Sequence, residues 1–216
     1  MKKDIVIVGA GGLGREVYSM LQLLIERGAN YSFRGFVDDG MPKGCLVYNQ
    51  LILGGIDVVN EWNGPLAVVF GIGDPQTKRK IFQRIVNPQV EYPTLIHPSV
   101  IIQSPDTVSI GRGCVICAGA IITVDVSIED FSLINLSCTV GHDARVGSFV
   151  SIMPSANISG ETMIGEAVYI GTGARVINQK NIEKGATIGA GAVVVKDVPE
   201  KAVVAGVPAK VIRYKE

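Results

Sequence analysis

An isoleucine or valine recurs at every sixth position of the chain from Ile110 to Val194, without an insertion. The fifteen members of this series are Ile110, Ile116, Ile122, Ile128, Ile134, Val140, Val146, Ile152, Ile158, Ile164, Ile170, Val176, Ile182, Ile188 and Val194. The fifth residue of each hexad, counted from the aliphatic residue, is small or β-branched, and only Lys180 departs from this second series.

A period of six residues excludes an α-helix, whose side chains recur about every 3.6 residues. It is typical of a short strand followed by a tight corner, and such units stack into a parallel β-helix. The pattern extends back to Ile96 and Ile102, but eight residues separate Ile102 from Ile110. We therefore predict a parallel β-helix with a two-residue bulge within residues 104–108.

The chain before the repeat carries a glycine-rich turn between a predicted strand, residues 4–9, and a predicted helix, about residues 15–28. The turn reads Gly9-Ala10-Gly11-Gly12-Leu13-Gly14. In this context a G-x-G-x-x-G motif lets the backbone and the helix N-terminus approach a phosphate. Further strands at 33–37 and 66–72, and a basic helix at 75–86, predict a small parallel α/β sheet.

Ligands of such sheets bind beyond the carboxyl ends of the strands. Six residues are expected to gather there, namely Gly11, Gly12, Leu13, Asp38, Asp39 and Gly73. The motif permits a nucleotide sugar, NAD with Asp38 on the ribose hydroxyls, or a packing role without a ligand. Fewer than about 100 residues precede the repeat, which leaves room for about one of the two mononucleotide halves of a dinucleotide fold and weighs against NAD.

The repeat and the order of the two domains resemble the hexapeptide-repeat acyltransferases, as does the closing motif Ala205-Gly206-Val207-Pro208-Ala209-Lys210. Over essentially its whole length the chain is similar to the sialic acid O-acetyltransferase and UDP-4-amino-sugar N-acetyltransferase subfamily. The resemblance implies a Rossmann-like α/β domain, residues 1–94, followed by a left-handed, three-sided parallel β-helix, residues 95–216. It also implies acetyl-CoA-dependent N- or O-acetylation of a nucleotide-linked sugar in bacterial glycan biosynthesis, with a UDP-sugar on the residues around the glycine-rich turn.

The chain contains two histidines. We interpret His97, beside a proline at the start of the repeat, as a structural or surface residue. His142 is third in its hexad, where a side chain projects outward, and Asp143 follows it. Imidazole, with an unperturbed pKa of about 6.5, accepts a proton near neutral pH. Spacing alone also allows a solitary surface histidine, whereas the resemblance implies that His142 is the catalytic base and Asp143 orients it.

With the family's eighteen residues per coil, Gly160 is expected directly beside His142 on the next coil. A glycine there leaves space for a thioester and exposes a backbone N–H to the developing oxyanion. The resemblance places Thr172 and Ala190 further up the same stack, along the pantetheine arm of acetyl-CoA. Related N-acetyltransferases often carry a second histidine at the thioester, where this chain has Ser151, and this departure leaves the acceptor less defined.

Twenty basic and twenty acidic residues give no net charge, which argues against a nucleic-acid partner. No run approaches the roughly 20 apolar residues of a membrane span, and the start leads into a strand rather than a signal peptide. The expected location is the cytoplasm. Cys114 and Cys138 occupy small-residue positions and are expected to be buried thiols, and Cys117 lacks a second ligand pair for a metal.

Two other functions compete with acetyl transfer. The chain could be a non-catalytic β-helix partner or activator of a glycan-synthesis enzyme, which should tolerate loss of His142. A zinc enzyme of the carbonic anhydrase type needs about three imidazoles, and two histidines do not supply them. Finally, an outward catalytic histidine on one β-helix is open to water, and the resemblance implies a homotrimer in which His142 faces a neighbouring copy.

Overall fold

The computed structural model describes residues 2–216, which divide into two compact units at Leu95/Ile96. The first unit holds a six-stranded sheet with helices around it. Its elements are β1 (Lys3–Val8), α1 (Gly12–Glu26), β2 (Tyr31–Val37), β3 (Leu46–Val47), β4 (Gln50–Gly54), α2 (Asp57–Asn60), β5 (Leu66–Phe70), α3 (Pro75–Arg84) and β6 (Val90–Glu91).

The sheet order is β3-β4-β2-β1-β5-β6. The central pairs, β1 with β2 and β1 with β5, are parallel, and every residue of β5 is buried. A wholly parallel sheet was predicted, but the edge strand β3 runs antiparallel to β4. These two strands form a hairpin through Tyr48 and Asn49, both of which have positive φ. A Tyr-Asn pair lacks the glycine that marks such turns most clearly, and the sequence analysis missed this hairpin.

The helices begin and end at local signals. Gly11 is the N-cap of α1, so the helix starts three residues earlier than predicted, and Gly28 at φ +101° follows its end. The carboxylate of Asp74 accepts a hydrogen bond from the Thr77 N–H at 2.8 Å, and Pro75 occupies the first turn of α3. An N-cap carboxylate and a proline at the first position are the usual start of a helix.

The second unit is a left-handed parallel β-helix, as predicted. Its strands are two residues long except at the end, and they are β7 (Leu95–Ile96), β8 (Ile101–Ile102), β9 (Ser109–Ile110), β10 (Val115–Ile116), β11 (Ile121–Ile122), β12 (Ser127–Ile128), β13 (Leu133–Ile134), β14 (Thr139–Val140), β15 (Arg145–Val146), β16 (Ser151–Ile152), β17 (Asn157–Ile158), β18 (Met163–Ile164), β19 (Tyr169–Ile170), β20 (Arg175–Val176), β21 (Asn181–Ile182), β22 (Thr187–Ile188), β23 (Val193–Val194), β24 (Ala202–Ala205) and β25 (Lys210–Tyr214).

These strands form three sheets, one for each side of the coil. The first sheet has the order β25-β24-β22-β19-β16-β13-β10-β7, the second β23-β20-β17-β14-β11-β8, and the third β21-β18-β15-β12-β9. Val140 pairs with Ile158 and Ile152 with Ile170, so one coil is eighteen residues. Each chain segment therefore visits the three sides in turn and returns directly above its starting point.

The core of the β-helix is made of the two residue series found in the sequence. From Ile116 onward every member of the aliphatic series is at most 4% exposed, and small residues such as Ala144 and Ala156 are fully buried beside them. A fully buried Ile or Val contributes about 1.5–3 kcal/mol relative to an exposed one, so repetition of this column stabilises the stack. The corners require positive φ, and non-glycine residues such as Phe131 and Glu161 adopt it there.

The predicted bulge in the early coil is confirmed. Ile101 pairs with Ile121, twenty residues further on, whereas Ser109 pairs with Ser127 after the ordinary eighteen. The two extra residues are taken up beside a short 3₁₀ helix at Pro105–Thr107. Because these two residues lie outside the regular strands, the eighteen-residue spacing resumes at Ser109 and Ile110 and continues through the later hexads.

Candidate functional site

The histidine at the corner between β14 and β15 is held by its neighbour. Its Nδ1 lies 2.9 Å from Oδ2 of Asp143, and both side chains are more than half exposed. Asp143 occupies the positive-φ position of the corner, at φ +59°, which turns its carboxylate back toward the ring of His142. A carboxylate on Nδ1 favours the tautomer in which Nδ1 carries the proton and Nε2 accepts one. An imidazole held in this way can accept a proton at Nε2.

The backbone of this corner is tied to both adjacent coils. The N–H of Asp143 donates to the Val124 carbonyl at 3.2 Å, and the His142 carbonyl accepts from the Glu161 N–H at 2.8 Å. These bonds fix the position of the histidine Cα, so only the ring torsions remain to be set. Asp143 then restricts the orientation of the His142 ring on its Nδ1 side.

Gly160 restricts the orientation of the His142 ring on its Cε1 and Nε2 side. An ideal Cβ built at Gly160 would lie 2.5 Å from both Cε1 and Nε2 of His142, so the ring rests directly on the glycine backbone. Within residues 2–216, the N–H of Gly160 has no hydrogen-bond acceptor. The corner therefore combines an outward imidazole with an unused backbone donor beside it, which is the pair of groups that acyl transfer requires.

The predicted stacking of Thr172 and Ala190 above His142 is wrong. The column at the His142 corner contains Val124, His142, Gly160 and Asn178, because positions stack at intervals of eighteen. Thr172 and Ala190 do stack on each other, and the Thr172 carbonyl accepts from the Gly191 N–H at 2.8 Å. They lie at the corner that follows β19 and β22, on a different edge of the same coil.

Ser151 also lies away from the His142 corner within one chain. It is in β16, nine residues from both His142 and Gly160, and its relative exposure is 0%. Its strand belongs to the sheet that leads into the corner of Thr172 and Ala190. One chain therefore brings together His142, Asp143 and Gly160, and separately groups the other three residues expected to bind acetyl-CoA.

The first unit contains a cavity of about 550 Å³ beyond the carboxyl ends of β1, β2 and β5. Among the predicted ligand residues, Gly11, Asp38 and Asp39 line it, whereas Gly12, Leu13 and Gly73 do not. The other lining residues are Val8, Gly9, Val37, Gly40, Ile56, Gly71, Ile72, Thr77, Lys80, Ile81 and Arg84. This is the place where ligands of open α/β sheets bind.

Two glycines of the motif are needed for packing. Gly9 has φ +97°, and a Cβ at Gly14 would lie 2.0 Å from the Gly9 carbonyl oxygen, so strand and helix approach too closely for any side chain. By contrast, a Cβ at Gly11 or Gly12 would have nothing within 4 Å. The packing interpretation therefore explains the outer glycines but not Gly11 and Gly12, of which Gly11 lines the cavity.

The two aspartates that follow β2 have different partners. Asp38 accepts from the Ala10 N–H at 2.9 Å and from the Gly40 N–H at 2.8 Å, so it joins the glycine-rich turn to the end of β2. Asp39 accepts from the Ile56 N–H at 2.9 Å and pairs with Arg84 at 2.5 Å. The Arg84 guanidinium, with the Ile56 N–H, holds the pKa of Asp39 below its ordinary value.

The sequence analysis missed the contribution of α3 and of Ile56 to this cavity. The helix was predicted and its basic character noted, but none of its residues was assigned to the site. The available signal was the spacing of Thr77, Lys80 and Arg84, which places three polar side chains on one helix face. Ile56 gave no signal, because it follows a strand that was not predicted.

We expect Asp38→Ala to raise the KM for the expected sugar substrate about ten-fold or more, because the carboxylate that holds the glycine-rich turn at the cavity is lost. The KM for acetyl-CoA should stay unchanged, since Asp38 belongs to the other unit's cavity. Asp38→Asn, which keeps one acceptor oxygen, is the milder control. Steady-state kinetics with each substrate varied in turn measures both constants, and tight calorimetric binding of NADH without any binding of a UDP-sugar would contradict the expectation.

Residues 2–216 hold neither a candidate membrane-spanning helix nor a candidate metal site. None of their helices is both long and apolar enough to cross a membrane. No three of their His, Cys, Asp and Glu side chains are grouped so that they could hold a metal ion.

Three of the cysteines, Cys114, Cys117 and Cys138, are buried. Burial raises the pKa of the Cys138 thiol to about 11, so this thiol is a packing group rather than a nucleophile.

Comparison with known proteins gives matches in sequence and in structure. The family model of the PglD N-terminal domain matches residues 4–85, and no curated protein sequence matches the chain. The acetyltransferase domain of PglB from Neisseria gonorrhoeae FA1090 is 30% identical, with a TM-score of 0.87, over 98% of this chain and 100% of that one.

Two other solved structures are similar over nearly the full length. PerB from Caulobacter crescentus, in complex with CoA and GDP-perosamine, is 29% identical with a TM-score of 0.85, over 97% of both chains. WeeI from Acinetobacter baumannii AYE is 27% identical with a TM-score of 0.87, over 98% of this chain and 100% of that one. With the glycine-rich first domain, the unbroken hexads and a 30% identical relative along its whole length, the chain belongs to the sugar acetyltransferases of the hexapeptide-repeat family.

Proposed function

We propose that the protein transfers the acetyl group of acetyl-CoA to the amino group of a nucleotide-linked amino sugar, with His142 as the general base. The observation that carries this proposal is the corner in which Asp143 and Gly160 hold the His142 ring from two sides. The nucleotide part of the acceptor is assigned to the cavity lined by Gly11, Asp38 and Asp39. A sugar hydroxyl is the alternative acceptor.

The relatives support both substrates. The N. gonorrhoeae acetyltransferase domain has been solved in complex with acetyl coenzyme A, and the C. crescentus perosamine N-acetyltransferase in complex with CoA and GDP-perosamine. Complexes of two variants of the latter enzyme, with one histidine replaced by asparagine or by alanine, have also been solved. An amine acceptor is therefore favoured over a hydroxyl for this chain.

The proposed step is direct attack of the acceptor nitrogen on the thioester carbonyl. Nε2 of His142 takes a proton from the attacking amine, and Asp143 stabilises the imidazolium that forms. The carbonyl oxygen becomes an oxyanion, to which the free N–H of Gly160 can donate. Collapse of the tetrahedral intermediate breaks the C–S bond, and the proton on His142 passes to the CoA thiolate. No covalent enzyme intermediate is needed.

The separation of the two corners bears on where acetyl-CoA binds. If Thr172 and Ala190 contact the cofactor arm, one chain cannot present them together with its own His142, because they lie on a different edge of the coil. A second copy can supply them. We therefore place acetyl-CoA between two β-helices, with His142 from one copy and the Thr172 corner from its neighbour.

This arrangement predicts a ring of copies, since a head-to-tail contact repeats until it closes. We expect a homotrimer of three times 22.9 kDa in light scattering. A stronger test mixes two inactive variants, His142→Ala and Thr172→Tyr, by joint refolding. A 1:1 mixture should regain up to about a quarter of the wild-type activity, because each mixed trimer has both intact corners at one of its three interfaces. An active monomer, or failure of every mixture to regain activity, would contradict the shared site.

The reaction itself is tested by release of the CoA thiol from acetyl-CoA in the presence of candidate acceptors. The panel contains UDP- and GDP-linked amino sugars, the corresponding UDP-sugars without an amine, and free sialic acids. We expect turnover with a nucleotide-linked amino sugar. Turnover only with UDP-sugars that lack an amine, or only with sialic acids, would indicate O-acetylation. A non-catalytic partner protein would release no thiol with any of them.

A further inference from the structure

One face of α3 lines the cavity of the first unit. Thr77, Lys80, Ile81 and Arg84 follow one another at intervals that place them on the same side of a helix, and all four line the cavity. Two cationic side chains, Lys80 and Arg84, therefore stand one helical turn apart on this wall. The two side chains differ in their contacts, because among the residues that the structure describes Arg84 pairs with a carboxylate and Lys80 does not.

The charge of Arg84 is already matched inside the protein. Its Nη1 lies 2.5 Å from Oδ2 of Asp39, whose other oxygen accepts from the Ile56 N–H. An ideal Cβ at Gly55 would lie 2.5 Å from that second oxygen, so the backbone closes tightly against the carboxylate. Arg84 thus fixes Asp39 in the wall of the cavity through one of its guanidinium nitrogens.

Lys80 has no such partner. It is exposed, and in the part of the chain that the structure describes no carboxylate lies within 4.0 Å of its ammonium group. The nearby Asp38 uses both of its oxygens to accept backbone N–H groups. A lysine ammonium is a compact charge on a flexible stem, and it is a frequent ligand of phosphate groups.

We infer that Lys80 is the residue that binds the diphosphate of the nucleotide sugar, while Arg84 holds Asp39 in the wall of the cavity. The inference rests on the proposed function, which supplies the nucleotide, and it assigns the two cations of α3 to different tasks. Isoleucines 56, 72 and 81 make part of the wall apolar, which suits a nucleoside base. Lys80 therefore makes the cavity selective for a nucleoside diphosphate over a nucleoside.

The test is calorimetric titration of the full-length protein with UDP, dTDP and GDP, and with uridine, thymidine and guanosine measured by displacement. Lys80→Met should weaken binding of the preferred diphosphate by about ten- to a hundred-fold, as expected for a hydrogen bond to a charged group. Binding of the matching nucleoside should be unchanged. Lys80→Arg should retain most of the diphosphate affinity, and raising the salt concentration should weaken diphosphate binding less in Lys80→Met than in the wild type.

The matched control is Lys43→Met, which removes another exposed lysine of the same unit that does not line this cavity. It should change no affinity, and equal melting temperatures should show that all variants are folded. If the wild type binds a diphosphate and Lys80→Met binds it equally well, or loses the nucleoside to the same extent, the inference is wrong and the proposed function stands. If the wild type binds none of the diphosphates, the nucleotide-sugar proposal fails, and this inference fails with it.

Discussion

Replacing His142 by alanine is expected to lower kcat by about 10²–10⁴, the usual contribution of a general base. The reason is geometric, since the ring lies directly against Gly160, whose N–H is free in the part of the chain that the structure describes. The β-helix should stay folded, because the His142 side chain is more than half exposed and contributes no core packing. Initial rates of thiol release at saturating concentrations of both substrates measure the effect.

The matched control is the other histidine. Nδ1 of His97 lies 2.8 Å from the Ser99 hydroxyl, which is a local contact at the start of the β-helix. His97→Ala should therefore leave kcat unchanged. Asp143→Asn keeps a hydrogen-bonding group beside the ring but removes its charge, so a loss smaller than that of His142→Ala is expected. A folded His142→Ala protein with wild-type turnover would show that another group acts as the base.

The fold of the second unit could be predicted almost completely because its rule is local. Each hexad carries its own inward residue, such as Val140 or Ile158, and the resemblance to the family supplies the eighteen residues of the coil. That coil length predicted that Gly160 lies beside His142, and the structure places it there. Even the two-residue insertion before Ile110 could be located, because the register returns immediately after it.

The stacking of Thr172 above His142 was mispredicted for a physical reason that the sequence already contained. A coil has three corners, and only positions separated by multiples of eighteen share one. Thr172 is thirty residues from His142, so it lies on another edge of the coil. A family resemblance shows which residues meet a ligand, but it does not show which of them come from the same copy. That distinction depends on coil geometry and on the number of copies.

The first unit was less predictable because its contacts are not periodic. The hairpin of β3 and β4 depends on positive φ at Tyr48 and Asn49, residues that do not demand it. The pairing of Asp39 with Arg84 joins residues 45 positions apart, and no local pattern indicates it. Three of the residues predicted around the glycine-rich turn and after β2 line the cavity, namely Gly11, Asp38 and Asp39, whereas the residues of the opposite wall could be identified only from the tertiary structure.

Substituting alanine for Gly160 should lower kcat by about 10²-fold while leaving the fold intact. The added Cβ would lie 2.5 Å from Cε1 and Nε2 of the His142 ring, so one of the two groups must move. Gly160 has ordinary φ, and its backbone is fixed by the Gln179 N–H, which donates to its carbonyl at 3.1 Å. The His142 side chain is more than half exposed and has space on its solvent side, so the ring moves. A displacement of about 1 Å in a reacting group costs about 10²-fold in rate.

A double substitution separates this displacement from other effects of the methyl group. If Gly160→Ala acts only through the imidazole, it should cause no further loss in a protein that already carries His142→Ala, because the two changes then share one cause. Melting temperatures of the single and double variants should be close to that of the wild type. An additional loss of kcat in the double variant would mean that the methyl group obstructs the thioester directly, and that Gly160 is required by the substrate rather than by the position of the base.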